Sequence, residues 1–456
     1  MQLQGRVATA LHRPAQVYAA ELVGIVGIVA VGVAFALAAL ERPSTILVLA
    51  VAATVVVVVL LRTDLAILLV VATAPIEAAF ASGPGGISIT KIAGGLCFAS
   101  FAVTVLRKKR RLVLERGQAI VLGILALALV SSLQAREISP ALTTTSRYAS
   151  FAIVYIILTQ FGSDRLLQRR IAWVVAVSAA VSGGLGLHYY FNGSASVAGL
   201  PYSNQNDFAF LLATSLPLMF WLLGGRRELR PFVLLMIGVV FGAILLSLSR
   251  GNLVGLGAGL LFFLLTDRRR LQVTLLAGGV AALAAVLVVR SNPARFQEAV
   301  TLKQHVAQQN VTARYQVWGA AARLATDHPL LGVGPGNFQF YYNRLTGNPV
   351  GTYALTVAHN AFLDIGAELG LAAMCLLAVY LALMFFRLTA AVDRGYGDPG
   401  YAQALRISLI IAVVSALFLS EQYFLPFWLI GGLATGLWLE GRRAEAAEEG
   451  PANPTA

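Results

Sequence analysis

The chain has 456 residues, 58% of them hydrophobic and only 12% charged, with a formal net charge of +13. Soluble domains carry roughly twice that charged fraction, and apolar runs of about 16 to 25 residues, each long enough to cross a hydrocarbon core, exclude both a soluble fold and the short alternating segments of a membrane β-barrel. The excess of Lys and Arg falls in the loops between these runs, so it reads as a positive-inside bias and not as a surface for nucleic acid.

Taken in chain order, the apolar runs predict helical spans at 17–40, 44–61, 64–80, 87–106, 118–134, 146–160, 171–190, 206–223, 231–248, 251–266, 271–290, 360–386, 403–420 and 423–439. The expectation is an all-α polytopic membrane protein with 12 to 14 spans. The first run shows no small-residue cleavage site, so it reads as a retained span and not a signal peptide. With the N-terminus in the cytoplasm, the basic clusters RKKRR (107–111), Arg165 with Arg169 and Arg170, and Arg268 to Arg270 all fall inside. Both termini are then cytoplasmic. Cys97 and Cys375 both lie within predicted spans, which excludes a disulfide framework.

The chain therefore divides into a bundle of spans over 1–290, an external loop over 291–358, C-terminal spans over 359–440 and a polar, disordered tail over 441–456. A loop this long without structure is uncommon unless functional. NVTARYQVWGAAARLATDHPL predicts a helix capped by Asn310 or Thr312, with Tyr315, Trp318 and Ala322 on one face and Pro329 ending it. A short separate helix is expected over Pro293 to His305, and GVGPGNF (332–338) reads as a turn-rich connector.

Candidate chemistry gathers around this loop. His359 stands in or just before the first turn of the helix that follows, where the positive end of the helix dipole disfavours imidazolium. A neutral imidazole is what a general base requires, although an interfacial histidine would occupy the same position. Asn360 beside it could orient the ring or a substrate hydroxyl. Arg250, in LSLSRGN at the external end of two spans, opposes the charge bias and is costly at depth; it either contacts an anionic substrate or snorkels to headgroups. Arg314 opens the predicted loop helix, at the end where a cation does not help helix stability, and its planar fork suits phosphate. Arg323 is a further cation on the same segment. Arg290, Arg295 and Arg344 read as solvated charges or headgroup contacts. Glu77, Glu421, Asp207 and the neighbouring Asn206 are polar groups near membrane depth that could orient a histidine or bind sugar hydroxyls, or could be structural. Asp364 and Glu368 fall about 140° and 180° from His359 around a helix, so neither is expected to share its face. No HExxH or EF-hand pattern occurs, and no metal or other cofactor is predicted.

These elements recur in a recognisable order: SRG at 249–251, Arg-x-x-x-Trp at 314–318, HPLLGVGPGNF at 328–338, and AHN-x-x-L-x-x-x-x-E-x-G at 358–370. From about Tyr202 to Leu371 the chain resembles the superfamily of O-antigen ligases and polymerases. The resemblance implies a GT-C-like glycosyltransferase of the bacterial inner membrane with its active site in the periplasm. It implies an undecaprenyl diphosphate-linked glycan as donor and a lipid A-core sugar as acceptor for a ligase, or a lipid-linked glycan as acceptor for a polymerase. Membrane lipids are the other partners, and nucleic acid is not one. His359 resembles the catalytic histidine, and Arg250 and Arg314 the donor-binding arginines. A lipid-linked glycan transporter shares the spans and the basic vestibule, but transporters gather polar groups near mid-membrane within repeated halves. Here they gather on one face.

Overall fold

The computed structural model describes residues 56–77, 89–108, 112–113, 115–192, 204–266, 270–346, 357–420 and 422–448. These residues form α-helices with no strand among them. In order they are α1 (Thr63–Glu77), α2 (Ile89–Lys108), α3 (Arg116–Ser132), α4 (Ile138–Phe161), α5 (Arg165–Phe191), α6 (Gln205–Leu222), α7 (Arg230–Ser247) and α8 (Arg250–Thr266). Then follow α9 (Arg270–Ser291), α10 (Pro293–Asp327), α11 (Phe338–Thr346), α12 (Ala361–Leu369), α13 (Leu371–Arg394), α14 (Pro399–Ala416) and α15 (Leu425–Glu448).

Each predicted span from 64–80 onward has a helix within a few residues of it. The span at 17–40, and 44–61 up to its last few residues, lie outside the described residues. Among the described residues, six helices are long and apolar enough to cross a membrane: α4, α5, α7, α9, α13 and α14, with α1, α2, α3 and α8 apolar but shorter. Helix starts carry the expected caps. The Glu115 carboxylate accepts from Gly117 N and Gln118 N ahead of α3, Asp164 caps α5, and Asp398 caps α14 with Pro399 in its first turn.

Helices α8 and α14 pack closely because α8 presents Gly251, Gly255 and Gly259 at four-residue intervals, a small-residue stripe of the kind that lets membrane helices approach. A Cβ on Gly251 would stand 2.8 Å from Phe418 Cβ, and one on Gly255 would stand 2.9 Å from the Ile411 carbonyl.

The sequence reading fails in three places within the C-terminal half. The region expected to hold two loop helices is a single helix, α10, of 35 residues. Its N-cap is Asn292, whose side chain accepts from Arg295 N, and the helix is already running at 310–312, so no helix starts there. Its buried face is Val317, Ala321 and Leu324 rather than the predicted stripe, and Tyr315 is exposed. These residues join Val333, Phe338, Tyr342, Ala358 and Ala367 in a small hydrophobic core separate from that of the spans. Arg295, expected to be solvated, donates to the Tyr190 and Phe191 carbonyls and closes the C-terminal end of α5.

The span expected at 360–386 breaks at Gly370, which adopts φ +89°. A Cβ there would lie 2.6 Å from the carbonyl carbon of Leu330, so only glycine fits. The spanning helix α13 thus begins at Leu371, and α12 is a separate short helix whose Ala361, Ile365 and Leu369 join the core of the spans while Ala367 joins the small core under α10. The tail is ordered further than expected. Helix α15 continues to Glu448, Gly441 packs on the Tyr396 ring, and Glu445 accepts from Arg442 at 2.7 Å and from Arg394 at 3.3 Å.

Candidate functional site

Short helix α12 is the hub of the site. A nine-residue helix leaves most of its terminal amides and carbonyls without intrahelical partners. Asn360 is its N-cap: its side-chain oxygen accepts from Phe362 N at 3.0 Å and Leu363 N at 3.1 Å. The C-terminal carbonyls are met by the glycine-rich connector, with Val333 N donating to Ala367 O (2.9 Å) and Gly334 N to Glu368 O (3.0 Å). Ser131 Oγ, at the end of α3, reaches both Leu331 O (2.6 Å) and Glu368 O (3.0 Å). The connector singled out as a turn is therefore a backbone cap laid across α12.

His359 immediately precedes the N-cap and holds φ +50°. A non-glycine residue in the left-handed region is uncommon, histidine being among the more tolerant types, and such strain clusters at functional sites. The ring is half-buried and has no hydrogen-bond partner among the described residues. Burial, and then the charge of Arg314, lower its pKa from the ordinary 6.5 to about 4. The imidazole is neutral at neutral pH, as expected, but desolvation and a neighbouring cation are the causes.

Arg250 begins α8 after a left-handed turn at Leu248. That turn is pinned to the start of α6: Ser249 Oγ donates to Asn206 Oδ1 (2.8 Å), and Asn252 Nδ2 donates to Asn206 O (2.8 Å). The Arg250 side chain is exposed. Arg314 lies near the middle of α10, not at a helix start, so the dipole argument made for it does not hold. It is half-buried, and its pKa is lowered by burial and by the charge of Arg250. The chain of electrostatic influence thus runs Arg250, Arg314, His359. The backbone shows the same convergence, because Asn360 Nδ2 donates to Leu417 O (3.1 Å) while Gly251 packs on Phe418. The residues next to His359 and Arg250 touch consecutive positions of one turn at the end of α14.

The secondary candidates separate clearly. Asn206 and Asn360 reach the site as struts, with their amide oxygens engaged by Ser249 and by the α12 backbone. Asp207 is half-buried in the first turn of α6. Arg323 is exposed, about 180° around α10 from Arg314 by helical period, and joins nothing at the site. Glu77 ends α1 with its side chain outside the described residues, and Glu421 is outside them altogether.

Two residues carry more than the sequence reading gave them. Asp364 and Glu368 are fully buried on one face of α12, one turn apart. Asp364 Oδ1 accepts from Ala358 N (3.1 Å), the residue before His359, and its other oxygen accepts from Gln422 Nε2 (2.6 Å) and Tyr423 OH (2.9 Å). Glu368 Oε1 lies 3.5 Å from Phe338 N. Burial raises both carboxyls, and the nearby Asp364 charge raises Glu368 further. The multiple donors around Asp364 favour its carrying the charge while Glu368 holds a proton. The angular argument missed this link because His359 lies before the helix, where the 3.6-residue period does not apply. The i, i+4 spacing of the two acids was the available signal.

The fold and site together define an all-α polytopic membrane protein with a neutral histidine and two arginines gathered at one end of its bundle. Residues 232–378 match the family described as O-antigen ligase. That segment holds Arg250, Arg314 and His359. No curated protein matches the chain.

Proposed function

We propose that this protein is an O-antigen ligase that moves a glycan from undecaprenyl diphosphate to a sugar of the lipid A core. It works in the bacterial inner membrane with both termini in the cytoplasm and the site in the periplasm. The observation that carries the reading is the neutral imidazole of His359 beside two arginines, neither of which has a carboxylate partner among the described residues.

His359 accepts the proton of the acceptor hydroxyl as that oxygen attacks the anomeric carbon of the donor. The bond from that carbon to the diphosphate oxygen breaks, and the diphosphate departs as a stable anion. A single displacement inverts the anomeric centre. Arg250 and Arg314 supply fixed positive charge for the departing diphosphate, a form of electrostatic stabilisation that costs little reorganisation. No metal step is required in this scheme. The donor also prepares the base: its negative charge offsets the cation that depresses His359, so the imidazole becomes more basic when substrate is present.

The test is deletion of the gene followed by examination of lipopolysaccharide, paired with transfer by the purified protein. Core without any repeats, with lipid-linked polymer accumulating, supports the ligase. Core carrying a single repeat reassigns the same donor site and base to a polymerase. Normal lipopolysaccharide and no transfer in vitro overturn both.

A further inference from the structure

A cavity of about 1400 Å³ lies between α5, α6, α7, α8, α9 and α14, away from the histidine site. Its walls are largely apolar and include Phe220, Leu256, Phe263 and Leu276. Along α14 it runs from Pro399 to Ile411, about 18 Å at the rise of an α-helix. That depth is close to one leaflet of a hydrocarbon core of about 30 Å. Among the described residues its charged lining is confined to one end, where Arg165, Arg169, Arg226 and Arg230 meet one carboxylate, Asp398. Asp398 is engaged as the N-cap of α14, where it accepts from Tyr401 N at 3.0 Å. Arg165 pairs with Glu440, but Arg169 has no acidic partner among the described residues.

We infer that this cavity binds an anionic glycerophospholipid, with its acyl chains between α8 and α9 and its phosphate at the cluster of arginines. The shape fits a lipid of one leaflet, and the charge fits its headgroup. The tail of a lipid-linked donor would enter from the opposite end, next to Arg250, and would leave Arg169 without an anion. Guanidinium groups at the edge of an apolar chamber match the general chemistry of anionic headgroup recognition.

The experiment uses the full chain purified in mild detergent. Native mass spectrometry reads the retained lipids, and thermal unfolding reads the response to added phosphatidylglycerol or phosphatidylcholine. The expected result is retained anionic phospholipid and stabilisation by phosphatidylglycerol in preference to phosphatidylcholine. R169E combined with R230E should lower that preference by about tenfold or more. Gly257→Phe is a second variant that keeps the α8 backbone intact. Nothing lies within 4 Å of a Cβ at this cavity-lining glycine, so the ring has room to occupy the acyl chamber and should displace lipid while leaving the fold in place. Retention of a polyprenyl lipid instead, equal stabilisation by both phospholipids, or undiminished phosphatidylglycerol binding in both variants overturns the assignment.

Discussion

The two ends of α13 treat charge in opposite ways. Near its C-terminal end, Arg387 is buried and fully engaged. It pairs with Glu115 and donates to Thr435 Oγ1 at 2.6 Å, while Tyr155 OH donates to the same carboxylate at 2.8 Å and Glu115 also caps α3. Beyond the N-terminal end, Arg250, Arg314 and His359 have no hydrogen-bond partners among the described residues, and each cation depresses the next group in the series. A buried charge needs its partner, since taking it out of water is expensive. The first cluster is a strut, and the second is the one proposed to receive the donor diphosphate.

That contrast can be broken by substitution. The largest effect is expected from His359→Ala, which removes the only proton acceptor assigned to the chemistry. Transfer should fall by about 10²–10⁴-fold while donor binding is retained. Full transfer activity in the reconstituted variant would remove the histidine from the mechanism.

Next comes the strut. Glu115→Ala or Arg387→Ala leaves a buried charge alone and should cost about 3–5 kcal/mol of stability. The double variant Glu115→Leu with Arg387→Met should recover most of it, read by unfolding in detergent. Single variants as stable as the parent would mean that the pair is solvated.

A smaller and more selective effect separates the arginines of α10. Arg314→Ala should raise the donor KM by about 30-fold, the loss of one charge contact worth about 2 kcal/mol. Arg323→Ala, on the far side of the same helix, should change it less than about twofold. Equal effects would show that the loop acts as a diffuse basic surface.

The smallest effect sharpens the reading of His359 itself. With its pKa near 4, kcat/KM should stay level from neutral pH down to about 5.5. A histidine at its ordinary value of about 6.5 would already lose about tenfold there. Stability follows the same sign. The unfolded state takes up the proton first, so the contribution of the neutral ring is present above about pH 6.5 and is lost as pH falls toward 4. His359→Gln should flatten that part of the stability profile.

Hydropathy alone placed a span on each of α1 to α9 and α13 to α15, and the reason is local. A helix in a bilayer satisfies its backbone within itself, so the apolar run and the element coincide. The errors fall where that rule does not operate: α10 is held by a small core of its own, and the break at Gly370 depends on Leu330 sitting against it. Residue type and position were enough to select His359, Arg250 and Arg314 as candidates. Their meeting was not legible, because Arg250 and His359 are joined through the turn at Leu417 and Phe418, and Arg314 arrives on a helix from another part of the chain. Nor could the sequence show that Asn360 is spent on capping or that Asp364 anchors the segment before His359. Hydrophobic periodicity reports what one stretch does with solvent or lipid. Which charged groups end up sharing a desolvated space is decided only when distant stretches pack.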